Sequence, residues 1–74
     1  MDYISLYSAK KHGKYMVVDT PDIGLLNSLG LRVGTKVTVT NRYAIGGPVL
    51  LRVENTFSIA VGKDIAKQIG VTSI

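Results

Sequence analysis

Apolar and polar residues alternate in three segments of the second half of the chain, and this pattern predicts three neighbouring strands. The segments are 36–40, 49–53 and 57–61, each with an apolar residue at every second position. Successive side chains of a strand point to opposite faces, so each segment has one apolar face to bury. The Glu54-Asn55 pair between the last two segments predicts a tight hairpin. We therefore interpret the second half as a meander with one buried face.

The first half of the chain predicts one strand and one short helix, joined to the meander by a glycine turn. Residues 15–18 are apolar on both sides, as in a strand covered on both faces or in one wall of a small barrel. The segment 20–22 (Thr-Pro-Asp) ends that strand and provides a proline and a Thr or Asp cap for a helix. The apolar residues expected along one side of this helix are Ile23, Leu25, Leu26 and Leu29. Gly30 suits the left-handed residue that ends the helix, and Gly34 suits the turn into the next strand.

The two ends of the chain complete a small barrel. Residues 1–13 resemble an anchoring segment laid across a core. Residues 63–69 predict one or two helical turns, capped by Gly70 before a short last strand over 71–74. Closing the sheet would remove edges that a chain of 74 residues has little other material to cover. The prediction is a mainly β fold, a small SH3-like barrel of about five strands with one or two short helices, and residues 1–74 are expected to form a single domain.

Composition and charge restrict the functions that such a barrel can have. The sequence has no cysteine and no apolar run of about eighteen residues, so it predicts no disulfide, thiolate metal site or membrane span. A cytoplasmic location is compatible with these features and is expected. The net charge is +4, but only Lys10, Lys11 and Lys14 are clustered. No nucleic-acid partner is expected, because charge without a recognition motif favours a solvated basic face or an acidic protein partner.

Four segments of the sequence carry a recognisable family pattern. These are Leu26–Val39, Gly46–Val49, Phe57–Val61 and Ala66–Val71. With them, the chain resembles the ferrous iron transport protein A family over about its whole length. The resemblance implies an SH3-like, non-enzymatic accessory protein of a bacterial ferrous-iron permease that carries its own GTPase domain. It also implies docking on the cytosolic part of that permease and modulation of iron transport, with membrane contact only through the permease.

Two positions depart from the family pattern, and one other class of protein shares the barrel. Leu25 stands where family members commonly have an arginine, and His12-Gly13 stands where they have Pro-Gly. A similar barrel forms the C-terminal domain of iron-dependent repressors, which resemble the same segments nearly as well. The alternative function is therefore a metal-responsive interaction module that binds a divalent transition metal. Such repressors need an upstream helix-turn-helix domain, for which we expect 74 residues to leave no room.

No pattern in the sequence predicts catalysis. His12 is the only histidine, and no nucleophile stands beside it at motif spacing. The segment 46–48 (Gly-Gly-Pro) is not followed by the lysine and hydroxyl residue of a phosphate-binding loop, so it predicts a turn. The candidate metal ligands are His12, Asp19 and Asp22, with Asp2 nearby in sequence, but their spacing matches no ligand motif. We expect no required cofactor, and only weak binding of a divalent transition metal by these residues.

Two surfaces are candidates for docking a partner protein. Tyr43, Ala44 and Ile45 precede the double glycine, at a loop tip where an apolar side chain has no obvious core position. Exposed apolar residues can mark a partner site, although Tyr43 and Ile45 could instead fold back onto the barrel. Leu25 and Leu26 on the short helix form the second candidate surface.

Overall fold

Six short strands form one antiparallel sheet in a computed structural model that describes residues 3–43 and 45–74. The elements in chain order are β1 (Ile4–Ser5), a 3-10 helix (Leu6–Ser8), β2 (Lys14–Asp19), α1 (Gly24–Ser28), β3 (Lys36–Arg42), β4 (Val49–Val53), β5 (Phe57–Val61), α2 (Lys63–Ala66) and β6 (Gly70–Ser73). The order across the sheet is β1-β6-β2-β3-β4-β5. The mainly β, SH3-like fold is thus confirmed. The one strand more than the five predicted is β1. It is only two residues long and lies in the segment expected to be an anchor.

The sheet bends around a single apolar core. Register shifts interrupt the pairing of β2 with β6 and of β3 with β4, and such irregularities increase the local bend and twist of a strand. The molecule measures 26 × 24 × 23 Å, so the sheet curls rather than lying flat. Among the largest fully buried side chains are Leu6, Val17, Leu31, Val39, Leu51, Ile69 and Val71. The inward positions predicted for β3 and β4 are therefore confirmed.

The hairpin between β4 and β5 follows from its two central residues. Glu54 and Asn55 have φ angles of 52° and 59°, the left-handed values that tight hairpin turns need. The Thr56 amide and hydroxyl both donate to the Val53 carbonyl, at 2.9 and 2.8 Å. The Glu54 amide donates to the Lys36 carbonyl, which holds the turn against β3. The predicted hairpin is confirmed.

Helix α1 ends as predicted but begins differently. Gly30 has a φ of 80°, its amide donates to the Asn27 carbonyl, and the Leu31 amide donates to the Leu26 carbonyl. These two bonds form a Schellman motif, in which a left-handed glycine ends the helix. The expected Thr or Asp cap is wrong, because the N-cap residue is Ile23 and no side chain caps the helix.

The turn from α1 to β3 is closed by a buried threonine. The Thr35 hydroxyl donates to the Gly30 carbonyl at 2.9 Å and accepts from the Arg32 amide at 3.3 Å. The amide of Gly34, whose φ is 97°, donates to the Val17 carbonyl at 2.8 Å. The predicted glycine turn is confirmed, and Thr35 attaches it to the end of α1.

The expectations for Gly70 and Phe57 are wrong. Gly70 is not a left-handed cap but a strand residue of β6, and the ring of Tyr3 lies where a side chain at Gly70 would be. Phe57 was expected to face the core, yet it is 44% exposed. The physical reason is that Phe57 begins β5 directly after the hairpin, at one end of an edge strand, where less of the fold covers it, whereas Val61 at the other end of β5 is buried.

Candidate functional site

The three candidate metal ligands do not form a cluster. His12, Asp19 and Asp22 are all exposed. His12 has a φ of 69°, and its amide donates to the Val39 carbonyl at 2.7 Å, so its backbone forms the turn that precedes β2. Within residues 3–43 and 45–74, no three His, Cys, Asp or Glu side chains lie together as metal ligands. Asp2 lies outside these residues.

The loop between β3 and β4 presents an apolar side chain to solvent. Ile45 is 97% exposed, and Tyr43 is 50% exposed. The Tyr43 side chain lies against Gly47, within the same loop. Ala44 falls outside the described residues. Ile45 therefore does not pack on the barrel, and it remains a candidate contact for a partner.

The second candidate surface, on α1, has to be corrected. Leu26 is 4% exposed and belongs to the core, so it is not a docking residue. Leu25 is 65% exposed, because consecutive residues of a helix point about 100° apart and cannot share the buried face of a helix this short. Phe57 lies beside the end of this helix, near Gly30. Leu25 remains a candidate for partner contact.

A group of cationic side chains, which we call the Tyr7 cluster, surrounds one tyrosine ring. It consists of Tyr7, Arg42, Lys63 and Lys67. The Arg42 Cζ lies 5.6 Å from the centre of the Tyr7 ring, the Lys67 Nζ 5.7 Å and the Lys63 Nζ 6.0 Å. These distances fall within the range of cation–π attraction. The structure thus gathers a third of the nine lysines and arginines at one aromatic ring.

Three elements bring the Tyr7 cluster together. Tyr7 lies in the 3-10 helix, which is anchored by a hydrogen bond from the Leu6 amide to the Ile69 carbonyl. Arg42 is the last residue of β3 and pairs with Val49, the first residue of β4. Val49 also pairs with Val61, the last residue of β5. Helix α2 follows β5 after a single residue, Gly62. Its first residue, Lys63, and its C-cap residue, Lys67, are four residues apart and lie on one side. The cluster therefore lies at the end of the sheet where β3 leads into Tyr43.

Arg42 is fixed in place by contacts with the 3-10 helix. Its Nη2 donates to the Tyr7 carbonyl at 2.6 Å, and its Nε is buried without a hydrogen-bond acceptor among the described residues. Within residues 3–43 and 45–74, no carboxylate forms an ion pair with Arg42, Lys63 or Lys67. The cluster is therefore a concentration of positive charge that the described residues leave unbalanced.

The Tyr7 cluster was not predicted from the sequence. The pattern there indicates isolated surface charges, because Arg42 lies far from Lys63 and Lys67 and all three lie far from Tyr7. Tyr7 and Arg42 are separated by 35 residues. Their proximity depends on strand register, which pairs Arg42 with Val49. The spacing of Lys63 and Lys67 on one helical side was the one local signal available.

A second group of cations lines a groove at the other end of β3. Lys14, Lys36 and Arg52 border this groove of about 240 Å³ together with Glu54. The Glu54 carboxylate accepts a hydrogen bond from the Lys36 amide at 3.1 Å. This groove therefore contains its own acidic group, unlike the Tyr7 cluster.

Comparison with known proteins identifies the family. A sequence model described as the FeoA domain matches residues 4–73. The chain belongs to the FeoA family. This confirms the resemblance to ferrous iron transport protein A. No curated protein matches the chain significantly in sequence.

Solved structures show how widely the fold of this FeoA domain is shared. The crystal structure of an iron uptake regulatory protein, FeoA, superimposes with a TM-score of 0.88 at 24% identity, and the match covers 100% of both chains. The NMR structure of a FeoA-like protein from Clostridium acetobutylicum gives 0.83 at 23% identity, covering 100% of this chain and 90% of that one.

A manganese-dependent transcriptional repressor in complex with manganese contains the same fold. It gives a TM-score of 0.90 at 16% identity, and the match covers 100% of this FeoA domain but 38% of the repressor. At this identity the likeness shows the fold alone.

Over residues 3–43 and 45–74, no helix has the length and apolar character that crossing a membrane requires.

Proposed function

We propose that this FeoA-family protein is a non-enzymatic, cytoplasmic accessory protein of ferrous iron uptake. In this role it docks on the cytosolic region of a ferrous-iron permease with a GTPase domain and modulates transport. The family match over residues 4–73 carries the proposal, and the similar FeoA of known structure is named an iron uptake regulatory protein. The role takes no resident cofactor, and the membrane is reached only through the permease.

The exposed residues Tyr43 and Ile45, between β3 and β4, support a docking role. A side chain such as Ile45, which is almost fully exposed, contributes nothing to the core, and burial of such a residue in a partner stabilises a complex. The strand residues on either side of these positions, Arg42 and Val49, pair with each other in the sheet. A rigid scaffold with an exposed apolar loop is a common arrangement for binding.

An NMR titration tests the proposal directly. The isotopically labelled protein is titrated with the purified cytosolic region of the permease, and we expect saturable shifts of amide resonances around residues 43–47. Ile45→Asp should weaken binding by about tenfold, a typical loss for a central interface residue. Val33→Asp is the matched control, because Val33 is 66% exposed but lies near the opposite end of β3. Absence of any shift at high concentration of the permease region would rule out docking.

A further inference from the structure

We propose that the Tyr7 cluster, together with the exposed residues Tyr43 and Ile45 that follow Arg42, is a recognition site for an acidic segment of a partner protein. The side chains that would contact carboxylates are Arg42, Lys63 and Lys67. Ile45 and Tyr43 would contact apolar residues within or beside the acidic segment. The inference deepens the proposed function and rests on it only in taking the partner to be a protein.

The charge arrangement points to an anionic ligand. Lys63 and Lys67 lie four residues apart, a spacing at which like charges destabilise a helix, and the Arg42 guanidinium lies against the same ring. The Tyr7 ring attracts each cation but does not neutralise it. Asp64, the acid next to Lys63 in sequence, forms no ion pair with any of the three within the described part of the chain. Carboxylates from another molecule would balance this charge.

Arg42 is already positioned to bind. Its Nη2 bond to the Tyr7 carbonyl and its contact with the Tyr7 ring hold the guanidinium in one place. An arginine that is fixed in the free protein loses less conformational freedom on binding than a flexible one. A charge-assisted hydrogen bond to a carboxylate is also stronger than one between neutral groups.

The surroundings of the cluster favour a protein segment over a nucleic acid. Nucleic-acid backbones bind along continuous basic surfaces. Here the second basic group lies at the far end of β3, roughly 20 Å away at the usual rise of a strand, and it contains Glu54. Next to the Tyr7 cluster lies an exposed isoleucine, which offers nothing to phosphates. A segment with carboxylates and an apolar side chain matches this combination.

Titration with an oligoglutamate peptide tests the site independently of the permease. We expect the amide shifts to concentrate in residues 6–8, 42–43 and 62–67. The double variant Lys63→Gln/Lys67→Gln should weaken peptide binding by about tenfold, as expected if each lost charge contributes under 1 kcal/mol. The matched control is Lys14→Gln/Lys36→Gln, which removes the same charge from the other basic groove and should change binding by less than about twofold. Arg42→Lys keeps the charge and tests the guanidinium geometry; we expect it to weaken binding while preserving the fold.

Three results would overturn the inference. The first is an absence of shifts around the cluster. The second is equal weakening by the two double variants, which would indicate non-specific charge attraction. The third is equally tight binding of inorganic phosphate or duplex DNA at the same amides. A separate experiment tests whether the cytosolic region of the permease displaces the oligoglutamate peptide. If the peptide binds at the cluster but the permease region binds nowhere on the protein, the recognition site is supported and the proposed function fails.

Discussion

At the scale of single residues, the turn between α1 and β3 depends on Thr35. This is the one buried polar residue among the described positions, and its hydroxyl makes two hydrogen bonds to backbone groups. Buried polar groups without partners are costly, so a residue in this position has to be one that can both donate and accept. The left-handed Gly30 and Gly34 set the path of the turn, and Thr35 holds it closed.

Replacing this hydroxyl with a methyl group should therefore destabilise the fold. Thr35→Val leaves the Gly30 carbonyl and the Arg32 amide without their present partner, and we expect a loss of about 1–3 kcal/mol in the free energy of unfolding. Urea denaturation measures this change. Thr38→Val is the control, because Thr38 is half-buried on β3 and its hydroxyl makes no hydrogen bond in the described structure. Equal stability of the two variants would contradict the assigned role of Thr35.

At the scale of elements, patterns that depend on near neighbours were predictable from the sequence. Alternation identified β3 and β4, and the Glu54-Asn55 pair identified the hairpin, because strand faces and turn angles are set by local chemistry. The orientation of α1 was not predictable in the same way. Only the packing of the helix against the sheet decides which leucine of a five-residue helix is buried.

Two neighbouring leucines of α1 should accordingly respond very differently to truncation. Leu26→Ala removes a core side chain, and we expect it to cost about 2–5 kcal/mol in the free energy of unfolding. Leu25→Ala changes an exposed position and should cost no more than about 0.5 kcal/mol. Thermal or urea unfolding of the pair checks the assignment. A large loss for Leu25→Ala together with a small one for Leu26→Ala would reverse the orientation described for this helix.

At the scale of the whole molecule, the two ends of the sheet differ in character. One end carries the Tyr7 cluster and the exposed residues Tyr43 and Ile45, whereas the other carries a basic groove that includes Glu54. The sequence indicated the exposed loop only as one of two alternatives, since Tyr43 and Ile45 could also have folded back onto the barrel. It did not indicate the cluster, because residues 35 positions apart meet there only through the strand register. The proposed function places the docking surface at the first of these ends.

Ferrous iron uptake in cells that lack this protein is the measurement that tests its proposed role most directly. Deletion should lower uptake, and the wild-type protein and Val33→Asp should both restore it. Ile45→Asp should not restore uptake fully, because it weakens docking by about tenfold. The variant should fold normally and reach the same level, because Ile45 is a solvated loop position. Unchanged uptake on deletion, or full restoration by Ile45→Asp, would contradict the account.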